Sequence, residues 1–347
     1  MGDILKPFSI NNRSIGPGCP AYLVAELSGN HGQSLGRAKQ IVQAAKNCGA
    51  DAIKLQTYTA DTITIDCNKE PFMFKGQSLY QLYQDAHTPW EWHSELMQTA
   101  RQLDLDVFST PFDSTAVDFL ETLGVPAYKI ASSEIVDIAL LTKIAATRKP
   151  VILSTGMATE AEIQHAIDVL TKNGTEMLAL LKCTATYPAL PEEMNLRSIP
   201  AMLKRFGLVI GLSDHSMGHD VAVASTVLGA SIVEKHLTLS RSDSSPDAEF
   251  SMEPREFRAM VEGIRIVEAA MGLETYGPQG REEISKKYRR SLFVVRDVTL
   301  GDLITERNVR SIRPGQGLNP EYLSEVLGRR ARCNIETGTP LRWDFLE

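Results

Sequence analysis

No stretch of this chain approaches the ~18 consecutive apolar residues of a membrane-spanning helix. Its first ten residues, MGDILKPFSI, carry neither the basic start nor the apolar run of an export signal. A C-x-x-C pair is also missing. The five cysteines (Cys19, Cys48, Cys67, Cys183 and Cys333) are dispersed and odd in number, which suits a reducing compartment better than a disulfide framework. Positive charge is not in excess: 36 Lys and Arg face 43 Asp and Glu, for a formal net charge of -7. A general nucleic-acid binder needs a basic face, so that class is excluded, whereas a local basic pocket for an anionic substrate is not. No strand-like segment leads into a G-x-G-x-x-G turn, which removes support for a dinucleotide fold. These absences predict a soluble, cytoplasmic protein that acts on small molecules, with no nucleic-acid or membrane partner.

What is present is ordinary in bulk and regular in order. At 347 residues, 43% hydrophobic and 23% charged, the chain has room for two domains, or for one large α/β barrel with an addition. Apolar strand patterns recur at Ala21–Glu26, Ala52–Gln56, Asp106–Thr110, Ala127–Ala131, Val151–Ser154, Met177–Lys182, Leu208–Leu212 and Ser231–His236. Helical patterns alternate with them at Leu35–Cys48, Pro89–Leu103, Asp113–Leu123 (capped by Asp113), Val136–Ala146, Thr159–Thr171, Leu196–Phe206, Asp220–Leu228 and Pro254–Met271. Eight βα units in one run predict a (β/α)8 TIM barrel rather than a doubly wound sheet. Residues 1–20 read as a short hairpin ahead of it.

A barrel builds its site at the C-terminal strand ends, and those ends are polar here: Glu26, Ser28, Asn30 and His31; STPFD; Ser132, Ser133 and Glu134; STGM; CTATYP. His215 and His236 end neighbouring strands of one βαβ unit, with Asp214, Glu234 and Asp247 nearby. Parallel strands lie about 5 Å apart, so the two imidazoles can converge. Either they are hydrogen-bonded structural histidines or they hold a divalent metal. Lys54 and Lys129 sit inside apolar strands, where a charge needs a partner. They pair with an interior carboxylate such as Glu26 or Glu134, or they form an anion cradle with Thr110, Ser132, Ser154 and Ser213.

Residues 57–88 are too long for an ordinary connection and rich in aromatics, which predicts a cover or substrate wall over the rim. After Gly272 the chain turns polar and then β-like at Ser291–Val295 and Val309–Ile312. The expected division is a barrel over 1–274 with its hairpin, a linker over 275–288, and a small β-rich domain over 289–347. That last domain is too small to hold much core of its own.

The stretches AELSGNHGQSLGRA, DAIKLQTY, STPFD, AYKIASSEI, STGMAT, KCTATYP, IGLSDHS, VEKHLTL and PDAEFSMEP resemble, in order and from end to end, the signatures of the sialic acid synthase (nonulosonic acid synthase) family. The C-terminal region resembles that family's antifreeze-like SAF domain, a β-clip. Within the family, ELSGNH, DAHTPWEWH, LLKCTATYP and PDAEFSMEP are most similar to the pseudaminate branch. Lys182 and Ala185 stand where the neuraminate branch has a His and a ligand-binding Asn.

The resemblance implies condensation of phosphoenolpyruvate with an N-acylated aminosugar. In the pseudaminate branch that sugar is 2,4-diacetamido-2,4,6-trideoxy-L-altrose; legionaminic and N-acetylneuraminate synthesis, or a non-catalytic carbohydrate-binding relative, are the alternatives. It further implies His215 and His236 as ligands of manganese or magnesium, with cobalt as a third choice. Lys54, Thr110, Lys129, Ser132, Ser154 and Ser213 would hold phosphoenolpyruvate. Gln56, Tyr187, Asp247 and Phe250 would face the sugar, and Glu26, Glu134 and Asp247 would lie near the reacting carbons. A homodimer is implied too, in which each SAF domain covers the partner's barrel and brings Arg313 to the sugar. The chemistry explains the set. The enol carbon of phosphoenolpyruvate attacks the sugar aldehyde, and a cation polarises the aldehyde oxygen. Water then captures C2, with Glu134 as the carboxylate that takes its proton. A sugar without a 6-hydroxyl wants an apolar pocket, for which Phe72, Phe74, Tyr80, Tyr83, Trp90, Trp92 and Phe250 are the candidates.

Overall fold

The structure is a computed structural model in which residues 7–74 and 76–347 are described. The chain forms two compact units, Met1–Gly272 and Leu273–Glu347. In the first, eight parallel strands close a barrel in chain order. They are β1 (Tyr22–Glu26), β2 (Ala52–Thr57), β3 (Asp106–Pro111), β4 (Tyr128–Ile130), β5 (Val151–Ser154), β6 (Leu178–Cys183), β7 (Val209–Asp214) and β8 (Ile232–His236). Helices α1 (Leu35–Cys48), α2 (Trp90–Gln102), α3 (Ser114–Thr122), α4 (Ile138–Ala145), α5 (Glu160–Lys172), α6 (Ser198–Phe206), α7 (Asp220–Val227) and α8 (Pro254–Met271) alternate with them. The expected (β/α)8 barrel is the observed fold.

Two-residue alternation along each strand decides what faces inward. Tyr22, Val24, Ala52, Phe108, Ile152, Ala179, Leu181, Val209 and Ile232 form one interior cluster. Ile10 and Ile15, from the antiparallel pair Phe8–Ile10 and Arg13–Ile15, complete it. The first six residues of the expected hairpin lie outside the described residues. Intervening side chains such as Leu23, Ile53, Leu55, Leu153, Leu180 and Val233 pack outward with the helices. At Gly211 the interior is so crowded that an added Cβ would lie 2.5 Å from both Ile232 O and Leu181 Cδ2. Asp113 accepts from the backbone N–H groups of Thr115 and Ala116 and starts α3 as the sequence predicts, a cap worth ~1 kcal/mol.

Three local expectations change. The strand expected at Ala127–Ala131 is confined to Tyr128–Ile130. The strand expected at Leu208–Leu212 runs on to Asp214, because Ser213 and Asp214 pair in register with Glu234 and Lys235. The insertion is structured, with a turn of helix at Ala60–Ile63, a two-residue ladder of Met73–Phe74 with Gln77–Ser78, and a helix at Leu79–Ala86 that starts at Ser78.

The second unit has one antiparallel ladder, Ser291–Val294 with Val309–Ile312, supplemented by isolated bridges such as Val298 to Ile335 and Ala331 to Leu346. Its core differs from the sequence expectation. Leu292, Val294, Val298, Ile304, Val309, Val326, Ala331, Ile335, Leu341 and Leu346 form a buried apolar cluster of its own. The segment expected as a linker includes a helical turn at Glu282–Ser285.

Candidate active site

The alternation that lines the lower barrel with apolar side chains puts charge at the strand ends. Glu26, Lys54, Gln56, Thr110, Lys129, Ser154, Cys183, Ser213, Glu234 and His236 all line one cavity of about 660 Å3. Ser132, Glu134, Tyr187, His215, Asp247 and Phe250 join them from the loops and the strand tips. The expected anion-binding, sugar-facing, carboxylate and imidazole residues of the first unit are therefore brought to one place. Arg313 lies in the second unit, exposed, just past Val309–Ile312.

Buried charge organises the floor. Lys54 Nζ lies 2.6 Å from Glu26 Oε2 and donates to Glu234 Oε1 at 2.8 Å. Lys129 Nζ is 3.8 Å from the same Glu234 oxygen and donates to Ser154 Oγ at 2.7 Å. Ser213 Oγ donates to Glu234 Oε1 at 3.2 Å, and Gln56 Nε2 to Glu26 Oε1 at 3.1 Å. Burial lowers the Lys54 pKa to about 8 even though Glu234 opposes the shift. Burial alone would raise Glu234, but the charges of Lys129 and Lys54 outweigh it and hold that carboxyl well below the usual range. Two cations beside Thr110, whose Oγ1 is buried without a partner, form a cradle with capacity for an anion. Ser132 Oγ accepts from Gly156 N at 3.0 Å, and a Cβ at Gly156 would lie 2.8 Å from that oxygen, so a side chain there would have to displace Ser132.

Glu134 sits apart from these pairs. Burial raises its pKa to about 7, with Lys129 a weaker opposing influence, and its Oε2 is buried without a partner. A carboxyl poised near neutrality suits proton transfer.

His215 and His236 lie with ring centroids 5.4 Å apart. His215 Nδ1 is 2.9 Å from Thr184 O, a carbonyl that can only accept, so Nδ1 is the donor and Nε2 is the nitrogen left for a ligand. Burial pushes the His236 pKa well below its usual value, and its Nδ1 is buried without a partner. Tyr187 packs over His215 with centroids 4.2 Å apart, and Phe250 lies 5.0 Å from His236. The two neighbouring imidazoles, with His236 Nδ1 buried and unpartnered, fit a divalent cation. Among the described residues no third His, Cys, Asp or Glu completes a cage, so the other positions of such an ion would fall to water and substrate.

Several residues singled out in the sequence serve structure instead. Asp214 and Lys235 face away from the cavity and pair at 2.7 Å, and Lys235 Nζ also donates to Ser216 O at 2.6 Å. Asn30 donates to Leu237 O and Ser251 Oγ. His31 is buried, with Nδ1 accepting from Gln33 N and Nε2 facing Thr88 Oγ1; burial lowers its pKa to about 4. Lys182 is held by Cys183 O and Thr184 Oγ1 behind the cavity wall, whereas Ala185 lines the cavity.

Of the candidate aromatics, Phe74, Tyr83 and Phe250 line the cavity; Phe72, Tyr80, Trp90 and Trp92 do not. Trp90 donates to Tyr58 O and stacks on Phe119, Trp92 meets the edge of His31, and Tyr80 donates to Asp61. Glu234, the counterion of both lysines, and Ser28, which donates to Asp247, were not singled out in the sequence as binding residues. Counting by twos back from His236 finds the first. Ser28 stands among the polar strand ends, but nothing local in the sequence shows its bond to Asp247.

The fold and this site together define a (β/α)8-barrel enzyme followed by a small β-rich domain. A model of the NeuB family matches residues 41–276, and one of the SAF domain matches residues 289–347. The chain belongs to the NeuB family. It is 44% identical over 335 residues to the pseudaminic acid synthase of Helicobacter pylori, covering 94% of this chain and 98% of that one. It is 41% identical over 332 residues to the pseudaminic acid synthase of Campylobacter jejuni, covering 92% and 95%. The crystal structure of an N-acetylneuraminic acid synthetase from Leptospira borgpetersenii superposes with a TM-score of 0.75 at 30% identity, covering 82% of this chain and 96% of that one.

Proposed function

We propose that the chain condenses phosphoenolpyruvate with 2,4-diacetamido-2,4,6-trideoxy-L-altrose and water to give pseudaminic acid and phosphate. One observation carries this reading. A single cavity joins a two-lysine anion cradle, an imidazole pair and a near-neutral carboxyl. The names of the relatives point to pseudaminic acid as the product, and the sugar is the acceptor that product requires.

Lys54 and Lys129 bind the phosphate and carboxylate of phosphoenolpyruvate, with Thr110, Ser132, Ser154 and Ser213 as hydrogen-bonding partners. Gln56, Tyr187, Asp247 and Phe250 hold the sugar so that its aldehyde faces the enol carbon. His215 and His236 would hold a manganese or magnesium ion, which when bound would supply polarisation of the aldehyde oxygen. As the carbon–carbon bond forms, C2 gains positive character, and Glu134 stabilises it and takes the proton of the incoming water. Glu26 and Glu234 pair with Lys54, and Glu234 also faces Lys129, so the carboxylates fix where the ammonium groups sit. Phosphate then leaves by cleavage of its bond to C2, so the oxygen left on C2 comes from water.

The test is phosphate release from phosphoenolpyruvate with Mn2+, offering the 6-deoxy-altrose diacetamide, the legionaminic precursor and N-acetylmannosamine in turn. Release with the first alone supports the reading. Release with another keeps the mechanism and changes the sugar. No release with any sugar turns the reading to a carbohydrate-binding relative. The proposal extends to a cytoplasmic homodimer in which Arg313 serves the partner's barrel. Its check is complementation: mixing Arg313→Ala chains with His236→Ala chains restores activity that neither has alone.

A further inference from the structure

We propose that the insertion after β2 is the surface that selects the methyl-bearing end of the sugar, with Ile63, Leu82 and Ala86 as the residues that set the choice. This rests on the reading above that the acceptor is a 6-deoxy sugar carrying two acetamido groups.

The cavity is divided by chemistry. Its strand-end floor is charged or hydrogen-bonding throughout, from Glu26 and Lys54 to Glu234 and His236. The insertion supplies a different wall, in which Ile63, Phe74, Leu82 and Ala86 have no hydrogen-bonding side chain and, among the described residues, the polar side-chain atoms are the phenols of Tyr58 and Tyr83. Burial raises the pKa of both phenols, with Asp247 adding to the shift at Tyr58 and Glu134 at Tyr83. Both phenols therefore stay neutral and keep their protons. A hydroxyl pressed onto Ile63, Leu82 and Ala86 gives up water and gains no partner, whereas a methyl gives up nothing. The floor takes the phosphate, carboxylate and aldehyde. The C6 methyl and an acetamido methyl are left for the wall.

The wall is fixed from behind. Gln33 Nε2 donates to the carbonyls of Gln84, Asp85 and His87, at 3.4, 3.0 and 2.8 Å, and so anchors the C-terminal end of Leu79–Ala86. Ala86 packs directly on Gly29, where an added Cβ would lie 3.3 Å from Ala86 Cβ. That same turn holds Asp247, which accepts from Ser28 Oγ and from Gly29 N. The apolar wall and the sugar-facing carboxylate thus share one support, and their spacing is set before the sugar arrives.

The test compares wild type, Leu82→Asn and Ile63→Thr on the 6-deoxy sugar and on its 6-hydroxy counterpart, reading kcat/KM for each sugar and KM for phosphoenolpyruvate. Both substitutions lie on partly exposed side chains of the insertion, and circular dichroism confirms that each variant is folded. An apolar pocket rejects an added hydroxyl by at most about a hundredfold, so wild type should favour the 6-deoxy sugar by about tenfold to a hundredfold. Each variant should narrow that ratio severalfold through the KM of the sugar, leaving KM for phosphoenolpyruvate unchanged. If wild type uses the 6-deoxy sugar and the ratio holds in both variants, or both sugars and phosphoenolpyruvate weaken together, this assignment fails alone. If wild type works only on N-acetylmannosamine, the acceptor reading fails, and this assignment fails with it.

Discussion

Glu234 Oε1 accepts a hydrogen bond from Lys54 Nζ at 2.8 Å inside the barrel, where each side chain is only 6% exposed. With Glu26 on one side and Lys129 on the other, two lysines and two carboxylates hold one another in place in a space that excludes most water. Lys54→Met leaves two buried carboxylates to one lysine, and breaking such a set costs about 3–5 kcal/mol. Urea unfolding of Lys54→Met, Glu234→Gln and the double variant should show coupling of about 0.5–3 kcal/mol, the double being less harmful than the sum. Strict additivity would mean the pair is not a unit.

Glu134 should set the acid limb of activity. With its pKa raised to about 7 by burial, the carboxylate is lost as pH falls through that value. The free-enzyme kcat/KM should then drop about tenfold per pH unit below it. Lys54, lowered to about 8, should set the alkaline limb as it loses its charge. Stability runs the other way for Glu134. A carboxyl raised in the folded state releases its proton first in the unfolded state, so wild type loses stability between about pH 4.5 and 7. Glu134→Gln should therefore lose activity, match wild type in melting temperature near pH 4, and exceed it at pH 8. Equal melting temperatures at both pH values would remove the buried-carboxyl account.

The barrel was legible in the sequence because it repeats. Leu35–Cys48, Pro254–Met271 and Val309–Ile312 fall where periodicity and caps put them, and the strand ends named the cavity floor. Lys235 and Asp214 show what was read incompletely. Alternation from His236 puts Glu234 inward and Lys235 outward, yet both charges stood in one apolar strand and Asp214 beside a candidate ligand. The insertion was not legible in the same sense. Whether Trp90 or Leu82 faces the cavity depends on Gln33 reaching three carbonyls and on Ala86 meeting Gly29, contacts that no repeating pattern encodes.

The imidazole pair can be checked without any turnover. A cation held by His215 and His236 binds only the folded chain, so Mn2+ at a hundred times its Kd should add ~2.7 kcal/mol to the barrel's stability. EDTA should reverse the gain, and His236→Ala should abolish it. Identical unfolding of wild type with and without Mn2+ or Mg2+ would return both histidines to a structural role.

Two glycines separate packing from chemistry. At Gly211 an added Cβ meets Ile232 O and Leu181 Cδ2 at 2.5 Å, and the first of these is backbone that cannot yield without moving β8. Gly211→Ala should cost about 1–3 kcal/mol or more in unfolding experiments, and the folded fraction should bind both substrates poorly because Glu234 and His236 shift with the strand. At Gly156 the nearest atom is Ser132 Oγ at 2.8 Å, the end of a side chain, followed by Ala185 Cβ and Cys183 Sγ at 3.2 Å. Ser132 can turn away, so Gly156→Ala should keep most of its stability. It should lose the Ser132 contact that Gly156 N now orients and raise KM for phosphoenolpyruvate more than KM for the sugar. If Gly156→Ala instead weakened only the sugar, Ser132 would belong to the acceptor's side of the cavity, and the anion cradle would rest on Lys54, Lys129, Thr110 and Ser154 alone.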